Sequence, residues 1–305
     1  MKAITFRNAY YIKLGKNGEW EESSIREGKI RIGWTQTNVD DINSGNWTKI
    51  KNELEKGAKH KGVATRDYHV LHHIADSTSE DVWITFYQSR LWWCKVGKVG
   101  IREDEKSKYR KVASRWHDCD IKNNKLIVNQ IPGTLSKLQG FRGTICRVNE
   151  VDDLRRLLNN KQSEASQAIT EATNNLVAKI EYGLQSLHWK DFEILVDLVF
   201  RGAGWRRITE LGESMKYADI VLECPMTREL YQVQIKSSAT IADFKSYARN
   251  FSSAGFRKFY FVVHSPDGDW SNYSSPENTE ILLPGELAKR IVEFGLTNWL
   301  LKKIK

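Results

Sequence analysis

The chain lacks paired cysteines, long apolar runs and internal repeats, and each absence removes a class of protein. Its four cysteines, Cys94, Cys119, Cys146 and Cys224, are widely spaced and form no CxxC pair. A zinc ribbon and a dense disulfide framework are therefore excluded, and a reducing, cytoplasmic setting is expected. No apolar stretch approaches the roughly 18 residues of a membrane span. Met1 to Lys16 mixes charged with apolar residues where a secretory signal would be apolar. No membrane partner is expected. Disorder is excluded as well, because 40% hydrophobic and 28% charged residues are the proportions of an ordinary folded protein.

A further lack is local. The net charge is +9, yet residues 151–305 hold 20 Lys+Arg against 20 Asp+Glu and contribute nothing to it. Residues 1–150 hold 27 against 18. A solvated basic surface accounts for this excess, and so does a polyanion held by the N-terminal half. At 305 residues two domains are expected. They are placed at 1–150 and 184–305, with a helical linker over 151–183.

In the N-terminal half, alternation predicts strands over 3–14, 29–34, 81–87 and 91–100, with shorter pieces at 109–117, 124–129 and 143–148. Residues 15–28, GKNGEWEESSIREG, read as a connection, and helices are predicted over 47–56 and 65–75. A β-rich, barrel-like domain results. From Val151 a helix opens with Asp152 and Asp153 in its first turn, which suits the helix dipole. Residues 161–175 are small and polar, as in a linker or an exposed helix. Phe192, Leu195, Val196, Val199 and Phe200 then fall at helical spacing until Gly202 and Gly204 stop the helix. The C-terminal order reads helix, strand, strand, strand, helix, strand, helix. The fold class is therefore α/β in that half and α+β overall.

The stretch from Tyr217 to Ser238 carries the chemistry. Asp219 stands among Ala218, Ile220, Val221 and Leu222. On the next strand Gln234 and Lys236 alternate with Val233 and Ile235, so the amide and the amine share a face. Hydrolysis of a phosphodiester needs a metal that polarises the phosphate and supplies an activated water. Asp219 can bind such an ion directly. The Gln234 side-chain oxygen or the Ile235 backbone carbonyl can add hard ligands for Mg²⁺ (or Mn²⁺). Lys236 is placed to orient or deprotonate water and to offset charge on the phosphorane. Glu193, on the upstream helix, is an outer carboxylate for the same centre. The competing reading is a cross-strand salt bridge between Asp219 and Lys236, with Glu193 merely solvated.

Residues 185–265 resemble the Mrr-like restriction endonucleases of the PD-(D/E)XK superfamily. The resemblance runs through FEILVDLVFRGAGW, Ala218-Asp219-Ile220 and Gln234-Ile235-Lys236, and in that subfamily Gln replaces the usual second carboxylate of the (D/E)xK element. It implies a restriction-endonuclease-like αβββαβ domain with a Mg²⁺-dependent DNA endonuclease activity that restricts foreign DNA. Cutting both strands would call for a homodimer or transient pairing of catalytic domains. One departure is the segment Leu211 to Tyr217, which stands where family members often carry a Gly-rich run.

Seven of the eleven Trp lie in the basic half: Trp20, Trp34, Trp47, Trp83, Trp92, Trp93 and Trp116. Aromatic rings beside cations suit nucleic acid, since stacking a base is worth about 1–3 kcal/mol. The stretches YIKLGKNGEWEESSIREGKIRIGW and DVWITFYQSRLWWCKVGKV look like PUA/EVE-like domains, a diffuse resemblance over residues 5–105. It implies a modified base flipped into an aromatic pocket. Trp34 is the first candidate for that pocket, followed by Trp20 and by one of Trp92 and Trp93, which must face opposite sides of their strand. Each of these Trp also has core packing as its ordinary role. His69 and His73, at i and i+4, have no third ligand and do not make a zinc site. Two other functions share these residues: a non-catalytic nucleic-acid-binding protein on a nuclease scaffold, and a nuclease selective for branched DNA or RNA.

Overall fold

The computed structural model describes residues 3–34, 36–58, 60–208, 218–251 and 255–305. The chain divides into two compact units, residues 1–164 and 165–305. It is a mixed α/β protein, and among the described residues no helix is long and apolar enough to cross a membrane.

The first unit runs β1 (Asn8–Ile12), α1 (Glu21–Glu27), β2 (Lys29–Ile32), α2 (Val39–Asn43), α3 (Trp47–Gly57) and α4 (Lys61–Ala75). It continues with β3 (Asp81–Tyr87), β4 (Arg90–Lys95), β5 (Arg102–Glu103), β6 (Lys108–Lys111), α5 (Gly133–Ser136), β7 (Ile145–Arg147) and α6 (Val151–Leu158). The expected barrel takes the form of two sheets, ordered β4-β3-β1-β7 and β2-β6-β5. A single bridge between Val96 and Val112 joins them. β1 and β3 are parallel and buried on both faces. Tyr10, Ile12 and Trp83 pack against Ile50, Leu54, Leu71 and Ile74 of α3 and α4. The alternate residues Ala9, Tyr11, Val82 and Ile84 face Leu135, Leu154 and Leu158.

Three expectations change here. The stretch read as a connection contains α1, whose acidic first turn and left-handed Gly28 (φ 64°) are ordinary helix-end chemistry. The strand expected at 124–129 is reduced to isolated bridges at Lys125 and Ile127. Helix α6, assigned to a linker, buries Leu154 and Leu158 in the first unit. A buried cation ties this unit together: Arg110 donates to the carbonyls of Ile74, Ala75, Ser77, Gly97 and Val99. It thereby satisfies the C-terminal end of α4.

The second unit runs α7 (Glu164–Leu184), α8 (Trp189–Gly202), β8 (Arg206–Arg207), β9 (Ile220–Glu223), β10 (Leu230–Ala239) and α9 (Ile241–Asn250). It ends with β11 (Lys258–Pro266), β12 (Thr279–Leu282), α10 (Pro284–Glu293) and α11 (Thr297–Lys303). The small, polar residues from 164 onward form one 21-residue helix that buries only Ile180 and Leu184. The sheet order is β12-β11-β10-β9-β8, with β10, β11 and β12 parallel and β9 antiparallel to both its neighbours. β12 was not anticipated, and the single closing helix is two, divided near Gly295 (φ 69°).

Side-chain alternation builds the layers. Val233, Ile235 and Val262 pack against Phe192, Leu195 and Val196 of α8. The opposite face sets Phe259, Phe261 and Val263 against Phe244 of α9. Gln234 and Lys236 pair in register with Phe261 and Val263, so they project from the α9 face as the alternation predicts.

Candidate functional site

Asp219 immediately precedes β9, and its N–H donates to the Val233 carbonyl at 3.0 Å, which fixes it beside β10. Its Oδ2 accepts the Ile235 N–H at 2.7 Å and the side-chain amide of Gln234. Gln234 is 4% exposed and Asp219 half-buried, so the pair lies at the margin of the interior. The alternative salt bridge from Asp219 to Lys236 is not formed among the described residues. Lys236 Nζ instead sits 4.6 Å over the Tyr247 ring of α9.

Burial pushes the Asp219 carboxyl up from its ordinary value, opposed by the Ile235 N–H and by the charges of Lys236 and Arg207. Burial also pushes Glu193 up, reinforced by the negative charge of Asp219. Glu193 therefore lies within electrostatic reach of Asp219.

Sequence reasoning missed two members of this neighbourhood. On α8, Asp197 lies one turn beyond Glu193, and neighbours four apart share a helix face. Asp197 is buried; its Oδ2 takes Arg201 Nε at 2.8 Å, while its Oδ1, without a hydrogen bond among the described residues, has Arg207 Nη1 at 3.9 Å. Arg207 comes three residues after Gly204, and nothing in the string Arg206-Arg207 tells the two apart. Pairing with β9 does, by placing Arg207 opposite Leu222 and Arg206 opposite Glu223. The departing segment Leu211 to Tyr217 lies outside the described residues.

The donor set suits a hard divalent cation. Desolvation disfavours the anionic form of half-buried Asp219 and of the more exposed Glu193, and Asp219 Oδ1 accepts no hydrogen bond among the described residues. A residue's N–H and C=O leave a strand by the same edge, so the Ile235 carbonyl joins its amide on the Asp219 side. Gln234 here donates its NH₂, and a half-turn about its last bond would offer the oxygen instead. No three His, Cys, Asp or Glu gather among the described residues. Amide and carbonyl oxygens would have to complete the set.

The first unit holds a second candidate. Trp20 and Trp34 line one pocket of about 550 Å³ together with Lys13, Lys16, Asp67 and Arg142. That volume is within the roughly 300–1,000 Å³ of small-molecule sites. Trp34, two residues beyond the end of β2, lies in the left-handed region at φ 60°, which costs a bulky residue about 1–2 kcal/mol. Its carbonyl offsets the strain by accepting Thr37 N–H at 3.2 Å, Thr37 Oγ1 at 2.9 Å and the buried Lys108 Nζ at 3.1 Å. Arg31, 1% exposed under the pocket wall, is held by both oxygens of Asp104 at 2.8 Å and by Glu27 at 3.2 Å.

Trp92 and Trp93 do not line this pocket. They face opposite sides as alternation requires, and each is engaged elsewhere. Trp92 packs on the Tyr10 side and donates to the Tyr87 carbonyl. Trp93 stacks on His117 at 4.7 Å and donates to the Cys119 carbonyl. Trp83 and Trp116 are core, and Trp47 stacks on His72 at 3.6 Å. His72 is bonded to Tyr68 and Asp76.

Comparison with protein-family models, with curated proteins and with solved structures finds no match for this chain.

Proposed function

We propose that the protein is a Mg²⁺-dependent DNA endonuclease whose second unit cuts and whose first unit reads a base, in restriction of foreign or modified DNA. The observation that carries this reading is the convergence of Asp219, Gln234 and the Ile235 backbone, with the Glu193 carboxyl near enough to feel the Asp219 charge. The order helix, three strands, helix, strand in α8 to β11 supports it, being the order implied by the Mrr-like resemblance. Asp219, Glu193, the Gln234 oxygen and the Ile235 carbonyl would hold Mg²⁺ or Mn²⁺, which supplies phosphate polarisation and an acidified water when bound.

The chain's own groups do the rest. Lys236 is steadied on the Tyr247 ring, where its ammonium can offset charge that develops on the phosphate and orient the attacking water. Arg207 adds a second positive charge on the Glu193 and Asp219 side. Because residues 151–305 carry no net charge, grip on DNA falls to the first unit. There Trp20 and Trp34 offer the stacking faces of a base site. Two catalytic units would pair, as a homodimer or transiently, to cut both strands.

The test is plasmid cleavage in Mg²⁺ by the wild type, Asp219→Ala and Lys236→Ala. Cleavage is expected only in the wild type, with losses of about 10²–10³-fold or more. Nicking retained in both variants would sink the assignment.

A further inference from the structure

We propose, building on the base-site reading of the Trp20–Trp34 pocket, that Asp67 makes this pocket selective for bases bearing an exocyclic amine and against thymine and uracil. Asp67 comes from α4, an element that carried no base-reading candidate, and lines the same cavity as the two indoles. Its carboxylate makes no hydrogen bond or ion pair among the described residues. The pocket's other acid and its buried arginine behave differently. Glu19 accepts the Lys16 N–H at 3.0 Å and is tied to its own loop. Arg31 is engaged by Asp104 and Glu27. That leaves one uncommitted acid among the lining of a pocket that also holds Trp20, Trp34 and the cations Lys13, Lys16 and Arg142.

An ionised carboxylate only accepts hydrogen bonds. The ligand edge opposite it must therefore donate. Cytosine, adenine and guanine each present an amine, and one N–H remains even when that amine carries a methyl group. Thymine and uracil present carbonyl oxygens on either side of a single N–H, so one oxygen would be driven against the carboxylate. The cations suit the phosphates on each side of an extruded nucleotide. The arrangement thus divides the work: indoles hold any base, cations hold any backbone, and Asp67 refuses one class of base.

The experiment is fluorescence anisotropy without divalent metal, on duplexes that differ in one bulged nucleotide (C, A, G, T or an abasic site). A bulge lowers the cost of extrusion. The wild type is expected to bind at least one amine-bearing bulge about tenfold more tightly than the T bulge, as one discriminating contact allows. Asp67→Asn, whose amide can donate or accept, should bring that ratio below about threefold and leave the melting temperature unchanged. Equal binding of the T bulge and the best amine-bearing bulge by the wild type overturns the proposal, as does an undiminished ratio in Asp67→Asn. If Trp20→Ala and Trp34→Ala both bind bulged and abasic duplexes as the wild type does, the base-site reading itself fails. Omitting metal keeps every outcome separate from cleavage.

Discussion

Asp219→Asn should make the protein more stable while removing its activity. The substitution keeps the shape of the side chain and an oxygen that can accept both the Ile235 N–H and the Gln234 amide. Only the charge is lost. In the wild type, burial raises the Asp219 carboxyl above its ordinary value of 3.8, so the folded chain holds that proton to higher pH than the unfolded chain does. The sign follows from linkage: the charge costs nothing below the ordinary value, and its cost grows as pH rises through the folded value. At pH 8 the variant should therefore melt above the wild type, and the gap should close as pH is lowered toward 4. Mg²⁺ reverses the comparison. At tenfold over its Kd an ion that binds only the folded state adds about 1.4 kcal/mol. For a unit the size of residues 165–305 that is about 4 °C in Tm. The variant should gain less than about 1 °C. Calorimetry of both proteins across a MgCl₂ titration reads both effects. Equal Tm at pH 8 without metal, together with equal gains from Mg²⁺, would refute the desolvated-carboxylate account of this centre.

Three further outcomes test the first unit. Arg110→Met leaves five carbonyls short of a donor in the interior and should cost about 3 kcal/mol or more in urea unfolding; a loss under about 1 kcal/mol would show that water replaces it. Trp34→Gly and Trp34→Ala lose the same ring, but only glycine takes φ 60° freely, so the Gly variant should be about 1 kcal/mol the more stable. Identical denaturant midpoints would contradict that. Arg31 and Lys29 hold the Asp104 carboxyl well below the usual carboxylate range. Its stabilising contribution is thus present above about pH 4 and is lost as pH falls below it. Asp104→Asn should be less stable at pH 7 and should lose less stability than the wild type in an acid titration followed by circular dichroism; parallel curves would remove the linkage.

Sequence pattern was sufficient where one element settles its own fate. Helix α8 shows its buried face in the spacing of Phe192, Leu195, Val196, Val199 and Phe200, and β3 was bounded by seven consecutive residues of strand character. Gln234 and Lys236 were placed on one face by alternation alone. Helix α1 was not legible because its residues are nearly all polar and its single buried side chain is Ser24. β12 is four residues whose strand character comes from pairing with β11. The missing site residues share a cause. Arg207 and Asp67 acquire their surroundings from elements distant in the chain, and no local period reports that. Parity likewise showed that Trp92 and Trp93 diverge, yet could not say that the cavity belongs to Trp20 and Trp34.

The junction between β10 and α9 bears on how the centre can adapt. The strand ends at Ala239 and the helix begins at Ile241, with Thr240 alone between them, and Thr240 and Asp243 close a reciprocal cap. Lys236 is thus three residues from a clamped corner, with its amine resting on a ring of the helix that the corner starts. Strand, corner and helix behave as one stiff bracket, so shifting the lysine means shifting the bracket. Glu193 reaches the centre from α8, which packs on the other face of the sheet, and no such corner binds it to β10. Adjustment to different ions or backbone geometries therefore belongs to the glutamate side, with the lysine as the fixed jaw.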